Sequence, residues 1–403
     1  MCKEAKLLLI ISILFTFGMG LSSIFVNIFF WKQTSSLTVI VIYNLIHNIT
    51  VPITFVLAGI IAKKKNGIWS LRIGLIIYAL FYALMLLIGD KGVSYIYLLG
   101  FIYGIAAGFY WLAFHTLSFD FTSVNNRDTF NGFNGGCSGI AAALAPITSA
   151  YIISRFAGVR GYNVVFSMTL FMFLILILIS FTLKCKNYGS KLDFKKAIGS
   201  NCEEWSVIRK SSFLWGFRDV IIAVLINILI IETTGSELSL GKLTFIGSLC
   251  SSLAYVLVQR IIKPPRRRLS IYIGTLGAFL AVLGLVININ ITTLLIYVIV
   301  NSFFIPFFII QWSSSTFNVI DRVHEENMRI EYLINRDLVL NTGRAVSAII
   351  LLILLVNFKD ISVLKFYLVF ISIAPSLSGY FLGKLKRILE GVSDRDSDNI
   401  ELS

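Results

Sequence analysis

The chain has 403 residues, 57% of them hydrophobic and only 14% charged, with a formal net charge of +14 and a mean hydropathy of +0.84. A soluble domain carries about 25% charged residues and disorder needs low hydrophobicity, so a soluble enzyme and a disordered chain are both excluded. What remains is a multi-pass membrane protein, and because lipid cannot satisfy free backbone groups its crossings are helices of about 20 apolar residues.

In chain order, apolar runs predict spans at 7–30, 37–62, 68–89, 94–119, 132–154 and 161–184, then at 213–232, 240–262, 269–288, 291–312, 338–357 and 363–383. The first run is too long for the core of a signal peptide and eleven more follow, so it reads as a span. Residues 185–212 form a cytosolic central loop, within which 191–198 has the composition of a short interfacial helix. The expected fold is an all-α membrane protein, with twelve transmembrane helices in two pseudo-symmetric six-helix bundles. The bundles span 1–184 and 213–386, and 387–403 is expected as a disordered cytosolic tail.

Of the 35 Lys and Arg, twenty-six fall on one side of these spans and seven on the other, with Arg218 and Arg344 inside helices. Basic residues collect on the cytoplasmic side, which puts both termini in the cytosol of a bacterial cell membrane. Topology thus accounts for the positive charge; nucleic acid is not an expected partner, whereas the lipid bilayer is. Lys263-Pro264-Pro265-Arg266-Arg267-Arg268 reads as a topology anchor that could also hold anionic headgroups. The five cysteines (Cys2, Cys137, Cys185, Cys202, Cys250) and three histidines never cluster at metal-ligand spacing. No Gly-x-x-x-x-Gly-Lys loop is present to cradle a nucleotide. No metal, cofactor or enzyme activity is expected.

An internal echo supports the two halves. Trp111 precedes Asp120 by nine positions, and Trp312 precedes Asp321 by nine. Asn126-Arg127-Asp128 leads into the fifth span, and Asn335-Arg336-Asp337 into the eleventh. Two related halves around a central site follow from such a duplication.

With these features the chain resembles the major facilitator superfamily over essentially its whole length. The fifth span adds a motif of small residues, Gly132, Ala141, Ala145-Pro146 and Ser149-Ala150, similar to the fifth-helix motif of that superfamily's antiporters. Small side chains let helices approach closely. The stretches Ser23-Ile24-Phe25-Val26-Asn27, Gly108-Phe109-Tyr110-Trp111-Leu112-Ala113-Phe114 and Phe130-Asn131-Gly132-Phe133 resemble a branch found in low-GC Gram-positive bacteria. The resemblance implies an acidic residue in the loop after the second span. Here that loop reads Ala62-Lys63-Lys64-Lys65-Asn66, a departure that puts the usual cytosolic gate in doubt.

Charges within a bilayer are expensive and therefore informative. Asn44, His47 and Asn48 share one face of the second span, with Asn27 at a similar depth in the first; such a face could bind substrate, sense a proton or only join helices. Trp111 and His115 lie one turn apart in the fourth span. Together with Gln311 and Trp312 these residues make an aromatic, weakly polar candidate cavity, which favours an amphipathic or apolar substrate. Arg218 and Asp219, about one turn from an inner helix end, and Arg344 join Asp120, Arg127, Asp128, Asp321, Arg336 and Asp337 in a belt near the cytosolic face. Some of these are expected to pair between the halves as an inner gate. No Asp or Glu is assigned to the bilayer middle, so His115, His47 or Asp120 would carry any coupled proton. The resulting expectation is a monomeric secondary transporter, an exporter of an unidentified small molecule by alternating access, with protons as candidate coupling ion. The alternatives are a lipid flippase and a non-transporting partner of a cell-envelope enzyme.

Overall fold

The computed structural model describes residues 2–122, 124–185, 187–199, 202–322, 328–358, 361–385 and 389, with side chains except at 124–129, 321–322 and 361–363. The first six helices are α1 (Lys3–Thr34), α2 (Leu37–Lys64), α3 (Gly67–Ile88), α4 (Ile96–Asp120), α5 (Val124–Arg155) and α6 (Arg160–Ser180). A five-residue helix, α7 (Phe194–Ile198), lies in the connection. Then come α8 (Glu203–Thr234), α9 (Glu237–Ile261), α10 (Arg267–Ile287), α11 (Ile291–Arg322), α12 (Arg329–Asn357) and α13 (Ile361–Leu382). No strand occurs among the described residues. Eleven helical stretches are long and apolar enough to cross a membrane, and one of them, Gly67–Asp120, contains both α3 and α4.

Several helices start before the spans that hydropathy predicts. Helix α8 begins at Glu203 rather than near 213, and α12 at Arg329 rather than near 338. Their first turns mix charges with buried apolar side chains such as Trp205, Ile208 and Tyr332. Average hydropathy passes over such amphipathic starts, although helices form there readily. This shifts every depth assigned from those ends.

The duplication is clearer in the structure than in the paired motifs. Helices α1 and α8 each contain 32 residues, and α8 begins 200 positions after α1. Each starts after a cysteine, Cys2 or Cys202, and ends at a left-handed residue, Ser35 (φ 47°) or Gly235 (φ 63°). In both turns a threonine hydroxyl, Thr34 or Thr234, accepts the backbone N–H of the serine two residues on at 3.3 Å. The same turn chemistry thus closes the first helix of each half.

Within the first bundle α2 and α3 pack on α4, and α1 on α5; within the second, α8 packs on α12 and α10 on α11. Between bundles the main seams are α2 against α12 and α5 against α9, with a lighter contact of α1 on α8. Exchanging the halves turns one seam into the other, as a pseudo-twofold requires. Both kinds of packing use small residues. A Cβ at Gly104 would lie 2.6 Å from Thr50 Cβ and 2.9 Å from the His47 carbonyl. A Cβ at Gly241 would run into Ala150 and lie 3.1 Å from the Pro146 carbonyl. Ala145 packs on Gly20. Of the fifth-helix motif, Ala141, Ala145, Ser149 and Ala150 are buried and Pro146 faces α9, whereas Gly132 is exposed and has no neighbour within 4 Å. Gly132 therefore plays no part in close packing here, because this part of α5 stands clear of its neighbours.

Candidate functional site

A cavity of about 380 Å³ lies between the bundles. Its walls are Phe15, Thr16, Met19, Gly20 and Ile24 of α1, Trp111 of α4, Ala142 and Pro146 of α5, and Thr244 and Ser248 of α9. These positions fall near the middle of their helices, hence at mid-membrane depth. The wall hydroxyls are engaged with backbone carbonyls: Thr16 donates to Ser12, Thr244 to Leu240 and Ser248 to Ala142 across the seam. The surface left to a solute is therefore aromatic and aliphatic. Phe15 stacks on Tyr110 and meets Trp111 edge-on at 5.8 Å.

A charged cluster joins α8, α11 and α12. Arg344 of α12 grips Asp219 of α8 with two guanidinium nitrogens, Nη2 reaching Oδ2 at 2.5 Å and Nε reaching Oδ1 at 3.1 Å. Arg344 Nη1 donates to Asn341 at 3.1 Å, and Asn341 donates to Asp337 Oδ2 at 2.8 Å. Arg218, only 1% exposed, donates to Asn301 of α11 at 2.6 Å, and its Nε has no partner. His47 of α2, whose Nε2 is buried and unpaired, sits close enough to Arg344 to feel its charge.

This placement corrects the expected depths. Asp219 is sixteen residues into α8 and Arg344 fifteen into α12, each about 22–24 Å from its helix start at 1.5 Å per residue. Both lie at the centre of the membrane rather than near one face. The bilayer middle therefore does contain a carboxylate, Asp219. The physical reason is the early start of α8 and α12, whose polar first turns resemble loops.

Asn27 and Asn44 meet as expected of their matched depth, the Asn44 amide donating to Asn27 at 2.9 Å. Asn48 is fully buried, with neither side-chain atom bonded. Trp111 lines the cavity, and His115 stacks beneath it at 6.0 Å. Arg336 acts electrostatically on His115 and covers the Trp312 ring at 5.5 Å. The duplicated tryptophans thus flank one string of side chains that crosses between halves. Gln311 is buried away from the cavity wall. The side chains of Arg127, Asp128 and Asp321, and the tail at 387–403 apart from the buried Leu389, lie outside the described residues.

Contacts between bundles bridge both ends of the molecule. At the end carrying the central connection, here called the basic end, Lys63 Nζ meets Glu331 at 3.0 Å, with side-chain exposures of 7% and 0%. Sequence reasoning passed over this pair because Lys63 read as a topology charge and Glu331 as a loop residue. Phe119 and Phe317 meet beside it at 5.3 Å. The connection between the halves runs across this seam as a strap. Tyr188 and Ser190 donate backbone N–H groups to Lys65 and Lys63, Asp193 N–H donates to Glu331, and Asn335 donates to Ala197 and Gly199. The Tyr188 hydroxyl bonds Asp120; burial and that carboxylate raise the Tyr188 pKa above the ordinary phenol range. At the opposite end Lys32 pairs with Glu237 at 3.1 Å, Tyr162 donates to Glu237, and the Trp31 indole donates to Glu232 at 3.2 Å.

Comparison with known proteins fits this architecture. The family model described as Major Facilitator Superfamily matches residues 8–329. The uncharacterized protein YqgE of Bacillus subtilis is 35% identical over 387 residues, covering 95% of this chain and 90% of that one. An uncharacterized protein encoded in the sodM 3' region of Geobacillus stearothermophilus is 41% identical over 164 residues, 41% of this chain and 77% of that one. Among solved structures, the nucleoside transporter NupG aligns with a TM-score of 0.68 at 12% identity, covering 94% of this chain and 98% of that chain. A single-residue variant of the Escherichia coli fucose:proton symporter FucP aligns with a TM-score of 0.66 at 11% identity, covering 96% and 98%. At such identities the structural likeness speaks for the fold.

Proposed function

The chain belongs to the major facilitator superfamily, and from that premise we propose that it exports a small amphipathic or apolar solute by proton-coupled alternating access, in a bacterial cell membrane with both termini cytosolic. Family membership makes it a multi-pass transporter rather than an enzyme. The observation that carries the finer reading is the central cavity, walled by helices of both bundles and flanked towards each membrane face by inter-bundle ion pairs. Breaking one set while keeping the other would expose the cavity to one side at a time. The solute class follows from the wall, where Phe15, Met19, Ile24 and Trp111 offer apolar surface and the hydroxyls are already bonded. The carboxylate of Asp219, bonded to Arg344 at mid-membrane depth, joins His47, His115 and Asp120 as a candidate proton carrier. The excess of basic residues at the end holding Lys3, Lys63–Lys65 and the strap supports cytosolic termini.

The test uses purified protein in vesicles under an imposed pH gradient, with small amphipathic solutes offered in turn. Solute-dependent proton movement is expected, and it should vanish in Asp219→Asn. Solute flux without proton movement would remove the coupling; lipid transfer between leaflets without solute flux would favour a flippase.

A further inference from the structure

At the basic end of the second bundle, three helices bring cations to one corner of the surface. The Lys384 ammonium, just past α13, lies 4.7 Å from the Tyr380 ring and 5.3 Å from the Phe381 ring. The Lys210 ammonium of α8 lies over that same Phe381 ring at 5.7 Å. Arg268, in the first turn of α10, lies 5.9 Å from the Tyr272 ring. The Tyr272 hydroxyl rests on Gly383, where a Cβ would come within 2.9 Å of it. Close packing fixes the corner. Ser211 and Ser378 join α8 to α13 at 2.7 Å, and a Cβ at Gly379 would lie 2.9 Å from Ile271 of α10.

Nothing acidic answers these cations. Lys210, Arg268 and Lys384 have no ion-pair partner among the described residues, and all three are exposed. Helix α10 adds to the imbalance. A helix start carries partial positive charge and favours an anion, yet Arg266, Arg267 and Arg268 stand at this one, with no side-chain cap and no acid in the first turn. The tendency of basic residues to collect on one side explains their presence at this end; it does not explain why cations from three helices meet over the same aromatic rings. The surface alongside is apolar. Leu269 and Leu276 of α10 and Leu377 and Tyr380 of α13 are exposed, and in a membrane protein such side chains face acyl chains. A phospholipid supplies both complements in register, a phosphate at the level of the cations and hydrocarbon beside the leucines.

We propose that the corner between α8, α10 and α13 binds an anionic phospholipid, whose phosphate is received by Arg268, Lys384 and Lys210 while its acyl chains lie along Leu269, Leu276 and Leu377. The phosphate ties three helices of the second bundle together, so the bound lipid stabilises the fold. The site shares no residue with the central cavity and stands whether or not a solute is carried.

The test places the purified full chain in nanodiscs of dioleoylphosphatidylcholine, or of that lipid partly replaced by dioleoylphosphatidylglycerol, and reads thermal melting. Native mass spectrometry of the detergent-solubilised protein titrated with each lipid reads affinity. The two lipids share acyl chains and differ in headgroup charge. Phosphatidylglycerol is expected to bind about tenfold or more tightly than phosphatidylcholine and to raise the melting midpoint. Arg268→Gln combined with Lys384→Gln should weaken phosphatidylglycerol binding about tenfold or more and abolish the rise, while melting in phosphatidylcholine alone stays that of wild type. Lys210→Gln alone should weaken binding in the same direction. Lys3→Gln combined with Lys64→Gln removes as much exposed charge from the basic end outside this corner and should change neither reading. Equal binding of the two lipids, full phosphatidylglycerol affinity in the Arg268 and Lys384 variant, or an equal loss in the Lys3 and Lys64 variant overturns the proposal. Displacement of the lipid by glycerol 3-phosphate would assign the corner to a free phosphate ester instead. Residues 390–403 carry Glu390, Asp394, Asp396, Asp398 and Glu401 against Arg395; a tenfold gain in lipid binding on their removal would make that segment the occupant and overturn the proposal likewise.

Discussion

At the scale of single residues, the pair of Asp219 and Arg344 has the largest consequences. Each is the other's charge partner at mid-membrane depth, and removing one member of a buried pair leaves the other uncompensated. Asp219→Asn should therefore cost about 3 kcal/mol, the low end for buried pairs because both side chains keep some access to the interior space. Thermal melting checks this, and the exchanged pair Asp219→Arg with Arg344→Asp should recover part of the loss. Both residues stand out in the sequence as charges inside apolar runs. Their partnership does not, since 125 positions separate them and no local pattern announces it. Tyr188 makes a second residue-scale prediction. Its raised pKa means that the folded protein retains the phenolic proton longer than the unfolded chain does. The stability this contributes is complete below about pH 10, the ordinary phenol value, and is lost as the pH climbs from there towards the folded-state value. Labelling of Cys185, beside the strap, should accelerate above about pH 10 in the wild-type protein, and in Tyr188→Phe the rise should follow thiol ionisation alone.

At the scale of elements, close packing separates glycines that matter from those that do not. Gly104→Ala forces α4 away from Thr50 and the His47 carbonyl of α2, an overpacking worth about 1–3 kcal/mol. Gly132→Ala meets empty space and should be neutral or stabilising by up to about 1 kcal/mol through helix propensity. Melting of the two variants side by side distinguishes them. The fifth-helix motif therefore locates a real seam through Ala145, Pro146 and Ala150, while its first glycine does not take part. Twelve helices were legible in the sequence because hydropathy reports the lipid-crossing part of each one directly. The true starts of α8 and α12 were not, because Glu203, Glu204, Arg329 and Glu331 lower the average while Trp205 and Tyr332 still bury. The repeated Cys2 and Cys202, Thr34 and Thr234, and Ser36 and Ser236 carry a constant offset of 200. That offset would have placed Glu203 as a helix start and Asp219 at the level of Met19.

At the scale of the whole molecule, the inter-bundle ion pairs decide which face is shut. The lysines at the end of α2 depart from the acidic residue that the family resemblance implies, yet Lys63 finds its counter-charge on the opposite half in Glu331. The seam is thus closed by the reverse arrangement of sign. Glu331→Gln deprives the buried Lys63 ammonium of this carboxylate and should favour the state open at the basic end. In a cysteine-free background, a thiol placed at Phe317 should then react with a membrane-impermeant reagent about tenfold faster or more, since losing a buried charge pair exceeds the ~1.4 kcal/mol that tenfold represents. Lys63→Glu combined with Glu331→Lys should return the rate towards wild type, and an unchanged rate in Glu331→Gln would remove the pair from the gate. The strap gives this opening a thermal signature. Residues 188–199 are fastened to the end of α2 on one side and the start of α12 on the other, so parting the bundles there means peeling several hydrogen bonds in a single event. Such an event carries a steep activation enthalpy, and cooling should slow turnover far more than it slows solute diffusion, leaving the protein parked with its tether fastened in the cold.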